Sequence, residues 1–426
     1  MPASSTPFTA TLPNGLRLVA LPMPWRATVS LSVFIRTGSL HESARLNGIS
    51  HVVEHMAFKG TATRDCQQIN LDAERLGAEV NAHTDKDHTA FHIEGLPQDV
   101  PAFVAMLADL VLAPSFPADE LERERRVIEQ EFGEFEDDPV TQAFQLFDRA
   151  CYGLTHSAGQ PVIGKRANLK RFTREDLLDY VQRQYTAANV VVAAAGPVDL
   201  AAFEEAVRAG FGGMPQGAPN EVAPPDWQGG LKLRRMAGSG QCQIIVGYSA
   251  PALGEPGQAA HALAAALLGE GMSSPLLDEI RERRSLAYHV GCSADAFPLM
   301  GQLLIEAATT PEQAEELLQA VHELLQRHAD APIDAVGLER ARQQLTVRAL
   351  RAQEQPSRRI ENAAQDLFRF GRLRDTQAWL SELRTVRAEE VQAVFRRMRD
   401  ERAAVALAGS VPARLKAQAE ALFAAA

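Results

Sequence analysis

GFGGMPQGAPNEVAPPDWQGG, residues 210–230, divides this chain. Its density of Gly and Pro can sustain neither a helix nor a central strand, so it reads as a connection. The boundary is placed at 213–230, with domains over 1–212 and 231–426. Working outward, both hydrophobic periods occur on each side. Before it, Thr28–Ile35 (TVSLSVFI) and Asn189–Ala195 (NVVVAAA) read as strands, and Asp119–Phe135 and Arg174–Tyr185 have helical spacing. After it come strand-like Cys242–Tyr248, a helix over Gln258–Leu268, long amphipathic helices over Pro311–His328 and Ala335–Gln353, and strand-like Ala403–Ala408. Both halves are therefore α+β with a similar order of elements. That order fits a duplicated domain, although residue identity between the halves is too weak to show one.

The 426 residues carry 43 Lys+Arg against 54 Asp+Glu, a formal charge of −11. A surface of that sign repels phosphate backbones and suits cationic peptides, so nucleic acid is not an expected ligand. Cys66, Cys151, Cys242 and Cys292 are far apart and include no CxxC pair, which fits a reducing compartment rather than a disulfide framework. No run of about 18 uncharged apolar residues occurs. Residues 1–24 lack a charged start followed by an apolar core, so a cytoplasmic protein without a membrane span is expected.

The sharpest chemical signal is HVVEH, residues 51–55. On a helix His51, Glu54 and His55 stand at i, i+3 and i+4 and project from one face. Two imidazoles on one face are what a zinc ion takes from a single element, and the carboxylate between them can work on a bound water. The order HxxEH inverts the commoner HExxH. Two histidines packing at a helix surface would show the same spacing, so a third ligand decides the matter.

A catalytic zinc uses three protein ligands and leaves one position open. The segment 121–135, LERERRVIEQEFGEF, holds five glutamates. Leu121, Val127, Ile128, Phe132 and Phe135 define one apolar arc at about 100° per residue, and only Glu124 and Glu131 fall inside it. A carboxylate on a buried face is costly unless it is paired or metal-bound. Glu131 suits the third ligand and Glu124 a carboxylate that orients one. Pairing of both glutamates with arginines of the same segment fits the wheel as well. Glu129, Glu134, Glu136, Asp137 and Asp138 follow as a charge run, either solvated or an attraction for basic residues near a cleaved bond. His83, His88 and His92 form a competing cluster, but alternation over 81–92 reads as one strand that sends His83 and His88 to opposite faces.

Taken together, NGISHVVEHMAFKGT (47–61) and ERRVIEQE (124–131) resemble the zinc metallopeptidase family that includes pitrilysin, insulin-degrading enzyme and the mitochondrial processing peptidase. The resemblance runs through GQPVIG (159–164), FTREDLL (172–178), AAAGPVD (193–199) and GMSSPLLDEIRERRSLAY (271–288), and the length suits the short bacterial processing-peptidase-like branch. Pro275 stands where an arginine is usual, Ser285 replaces a frequent glycine, Asp87 a glutamate, and Gln160 the arginine of Gly-Arg.

The resemblance implies two homologous α/β sandwich domains, each a mostly antiparallel sheet covered by helices. It implies one Zn2+ per chain on His51, His55 and Glu131, with Glu54 as general base and Glu124 beside a ligand. Arg281 and Tyr288 match the pair placed against the substrate carbonyl, and Asn81 and Ala82 the strand that holds substrate backbone. The implied activity is endopeptidase cleavage of peptides or unfolded segments in an enclosed chamber. The implied assembly is a homodimer whose active sites are shared across chains. A non-catalytic peptide-binding or scaffold subunit, and a peptidase dedicated to maturing one peptide, are the other readings.

Overall fold

The computed structural model of the chain describes residues 6–423. It forms two compact units, one of residues 6–132, 161–222 and 351–374, the other of residues 133–160, 223–350 and 375–423. Residues 1–5 and 424–426, which include the start of the segment read for a leader, lie outside the described residues. Residues 215–229 have no regular structure but are pinned: the Ala187 and Ala188 N–H groups donate to Pro215 O and Gln216 O, and Gln228 N–H donates to Cys151 O.

The first unit is built on six strands, β1 (Phe8–Thr11), β2 (Arg17–Pro22), β3 (Val29–Ile35), β4 (Glu79–Thr84), β5 (Thr89–Gly95) and β6 (Val190–Gly196), in the order β1-β2-β6-β3-β5-β4. Only β2 and β6 run parallel. β3 and β6 are buried along their whole length, as near-continuous apolar strands are when both faces are covered. Alternate residues serve different cores. Val190, Val192 and Ala194 pack with helices Val100–Leu112 and Leu200–Phe211, whereas Val191, Ala193 and Ala195 meet Ile360, Ala363, Ala364 and Leu367 of helix Pro356–Phe370.

The second unit has β7 (Gly230–Arg235), β8 (Cys242–Ala250), β9 (His289–Ala296), β10 (Gly301–Thr309) and β11 (Ala404–Gly409), in the order β7-β11-β8-β10-β9 with only β7 and β11 parallel. This repeats β2-β6-β3-β5-β4, and the one parallel pair falls in the same place. The duplication hidden at the level of residue identity is thus visible as topology. Helices Gln258–Gly269, Ala314–Asp330 and Ala388–Asp400 cover one face. Helix Pro139–Tyr152 covers the other, and its Phe147 fills the space beside Gly247, where a Cβ would approach the ring to 2.4 Å. Each unit therefore takes one helix from the far side of residues 213–230, because a sheet apolar on both faces needs two layers of cover.

The α+β class and the elements read from periodicity hold within a few residues. One reading does not. Residues 81–92 are two arms of a hairpin rather than one strand: Asp85–His88 form its turn, Asp85 N–H donates to His88 O at 2.8 Å, and the alternation restarts after it. Among the described residues no helix is long and apolar enough to cross a membrane.

Candidate metal centre

The helix that bears the HxxEH residues, Ile49–Ala57, is fixed from its start. Glu42, 4% exposed, accepts from the N–H groups of Gly48 (2.7 Å) and Ser50 (2.8 Å) and from Asn47 Nδ2 (3.1 Å). Those N–H groups have no partner inside the helix, and the positive end of its dipole favours a carboxylate there. Ser50 Oγ and Thr37 Oγ1 both bond the buried Tyr180 Oη, at 2.8 and 2.7 Å. Gly48 has φ +100°, and a Cβ there would lie 2.8 Å from Gly164 Cα, so the entry to this helix tolerates no side chain. Val52, Val53 and Met56 anchor the opposite face in the core.

This anchoring leaves His51 and His55 together on the other face, both largely buried. Their Nε2 atoms are 3.1 Å apart, and Glu131 Oε2 lies 3.6 Å from the first and 3.5 Å from the second. Ligands about 2.0–2.1 Å from a tetrahedral zinc stand roughly 3.3 Å from one another, so the triangle has the right size. Among the described residues it is the one group of three or more His, Cys, Asp and Glu side chains so placed.

Glu131 arrives on helix Ala118–Asp137, whose Leu121, Glu124, Ile128 and Phe132 are buried. Val127, read as part of the apolar arc, is 43% exposed, so the buried stripe is narrower than the wheel drew it. Glu124 is 5% exposed; its Oε1 bonds His55 Nδ1 at 2.8 Å and its Oε2 pairs with Lys59 Nζ at 2.8 Å. Two of the segment's three arginines pair with other carboxylates, Arg123 with Asp119 and Glu120 and Arg125 with Glu122. Of the acidic run, Glu129 pairs with Arg166, and Asp138 caps helix Pro139–Tyr152 through the Thr141 N–H.

The electrostatics suit metal binding. Burial, and then the neighbouring His55, pushes the His51 imidazole down to about 3, so it presents a neutral nitrogen. Burial opposes charge on His55, but the Glu124 bond and the Glu131 and Glu54 carboxylates hold its pKa above the usual value. Burial opposes charge on Glu124 too, and its bonds to His55 and Lys59 keep it low. Glu124 therefore fixes His55 with the Nδ1 proton inward and Nε2 toward the site. His51 Nδ1, by contrast, is buried with no partner among the described residues. Replacing Glu124 with Gln removes that orienting charge. The expected result is a 10- to 100-fold weaker hold on metal, measured by competition with a chelator.

Glu54 sits beside this triangle without belonging to it. Burial raises its pKa, and Thr84 Oγ1 donates to its Oε2 at 2.6 Å. Neither Thr84 as a partner of Glu54 nor Lys59 as a partner of Glu124 was foreseen, although Lys59 follows His55 by one helical step of four. Thr84 belongs to β4, the outer strand of the sheet, with Asn81 and Ala82. There the Ala82 N–H donates to Asn81 Oδ1 at 2.8 Å.

Arg281 and Tyr288 lie in the second unit. Pro275 opens the helical run 275–283, at a first-turn position where its missing N–H does no harm. The run continues as a π-helical stretch, Leu277–Arg283, rather than as an ordinary α-helix, a feature frequent at functional sites. Two residues past its end, Ser285 has φ +52°, a left-handed conformation that costs an L-residue about 1–2 kcal/mol. A glycine would carry no such strain, which accounts for the residue that Ser285 replaces. The Arg281 guanidinium stands 5.0 Å from the Tyr288 ring, and Tyr288 is 84% exposed.

Comparison with known proteins adds a second line of observation. Residues 18–164 match the family model described as insulinase (peptidase family M16), and residues 171–345 match the peptidase M16 inactive domain. A Mycobacterium tuberculosis protein named an uncharacterized zinc protease is 32% identical over 426 residues, covering 97% of each chain. A Bacillus subtilis protein named uncharacterized zinc protease YmxG is 29% identical, covering 94% of this chain and 98% of its own. Among solved structures, a protease from Helicobacter pylori has a TM-score of 0.85 at 21% identity, over 95% of this chain and 99% of its own. A Pseudomonas fluorescens protein described as a peptidase M16 inactive domain has a TM-score of 0.86 at 20% identity, over 96% of this chain and 99% of its own.

Proposed function

This chain belongs to the insulinase family of M16 peptidases, and from that premise we propose that it is a zinc-dependent endopeptidase acting on peptides or unfolded segments in an enclosed chamber. The observation that carries the proposal is the triangle of His51 Nε2, His55 Nε2 and Glu131 Oε2, with edges of 3.1, 3.5 and 3.6 Å and Glu54 alongside. These three residues would hold one zinc per chain. Zinc supplies Lewis acidity, polarising a peptide carbonyl and making a water acidic enough to lose its proton near neutrality. Glu54 receives that proton and returns it to the leaving amine. Thr84 holds one Glu54 oxygen, which leaves the other for the water. Tyr288 donates to the developing oxyanion and Arg281 orients the carbonyl. The outer strand β4 takes the peptide as an added strand at Asn81 and Ala82, and the bond from Ala82 N–H to Asn81 Oδ1 gives way to it. All four cysteines are free, in keeping with a cytoplasmic place of work. Treatment with a chelator should abolish cleavage of a fluorogenic peptide, and one equivalent of zinc should restore it. Full cleavage by metal-free protein would sink the proposal.

Tyr288 and Arg281 are proposed to act on the zinc site of a second copy, in a homodimer. The support is the stacked Arg281–Tyr288 pair, with Tyr288 exposed, on a unit other than the one that bears the triangle. Glu54→Gln and Tyr288→Phe proteins, each inactive alone, should recover roughly a quarter of wild-type activity when mixed, because half the dimers are mixed and each of those has one whole site. No recovery despite demonstrated subunit exchange would exclude the shared site.

A further inference from the structure

The β4–β5 hairpin brings together two histidines that the peptidase reading does not use. His83 Nε2 and His88 Nε2 are 3.2 Å apart, with ring planes at 87°. The His51–His55 pair has the same signature, 3.1 Å and 74°. The likeness extends one bond further out. His88 Nδ1 bonds Asp87 Oδ1 at 2.7 Å, as His55 Nδ1 bonds Glu124 Oε1 at 2.8 Å. In both places a largely buried carboxylate fixes the proton on Nδ1 and turns the Nε2 lone pair toward a second imidazole.

The two pairs lie on opposite faces of the sheet. Val80 and Ala82 pack toward the core beside the metal helix, and Thr84 reaches Glu54. His83 alternates to the other side and pairs with Ala90, which belongs to the core under helix Pro356–Phe370. His83 is exposed there, and the His92 ring lies 5.7 Å from it. Partial burial of its otherwise exposed ring, and then His88 and His92, push the His83 imidazole down to about 4, so at neutral pH it offers a lone pair. Burial opposes charge on His88, but the Asp87 bond and the charges of Asp87, Asp85 and Glu361, the last on the covering helix, hold its pKa above the usual value, as Glu124 does for His55.

We propose that His83 and His88 form a second site for a divalent transition-metal ion, with Asp87 orienting His88 and water completing the coordination. Two imidazoles at this spacing suit Zn2+, Co2+ or Ni2+. With two protein ligands against three, it binds more weakly than the first site. The site does not rest on the peptidase reading and is tested without any substrate.

Metal-stripped full-length protein is titrated with Co2+ by calorimetry. Wild type should take two ions per chain in two steps. His83→Ala, a change at an exposed side chain, should weaken the second step at least tenfold and leave the first unchanged. Glu131→Gln should weaken the tight step and keep the step that depends on His83. If His83→Ala takes up as much Co2+ as wild type, with the same affinities, the proposal is overturned, and the pair is an imidazole–imidazole hydrogen bond only.

Discussion

Glu54→Gln protein should keep its zinc and its fold and lose turnover by roughly a thousandfold, within the range that a positioned general base contributes. Glu54 lies outside the triangle of His51, His55 and Glu131, so the amide should leave those three side chains in place. The Thr84 hydroxyl can still donate to the amide oxygen, as it does to Glu54 Oε2 at 2.6 Å, so the side chain stays where it is. What the amide cannot do is accept a proton. Loss confined to kcat, with zinc content equal to wild type, is the expected pattern. Near-normal turnover would remove Glu54 from the role of base.

Glu131→Gln should have the second large effect, acting on the hold on metal rather than on proton transfer. The amide is neutral and a poor zinc ligand, and the two imidazoles left behind come from a single helix. Loss of a direct ligand exceeds the 10- to 100-fold cost of losing an orienting partner, so zinc affinity should fall by more than about 100-fold and activity with it. Stability should hardly change, because Leu121, Ile128 and Phe132 anchor the helix and the Glu131 side chain is 35% exposed. Zinc content after dialysis against a chelator, read beside the thermal midpoint, separates loss of metal from loss of fold.

Much of this site was legible because its chemistry contradicts its position. Glu124 and Glu131 stood out as carboxylates on an apolar stripe, and the structure brings both to His55. His51, Glu54 and His55 were legible because one helix face carries them. What periodicity missed depends on residues that meet from separate elements. Thr84 reaches Glu54 from a strand, and nothing in local spacing links the two. His83 and His88 were assigned to opposite faces because a period of two was carried through a turn, and the Asp85-Lys86-Asp87 run was the signal for that turn. Helices Pro139–Tyr152 and Pro356–Phe370 read as amphipathic wherever they pack, so their sequence does not say which sheet they cover. The left-handed Ser285 was hidden because serine announces nothing where glycine would.

The most direct measurement is zinc content and peptide cleavage on the same samples of wild type, Glu54→Gln and Glu131→Gln. Wild type should hold zinc and cleave, Glu54→Gln should hold zinc and not cleave, and Glu131→Gln should do neither. A zinc-loaded wild type that cleaves no peptide, or cleavage that persists in Glu131→Gln without zinc, would contradict the account.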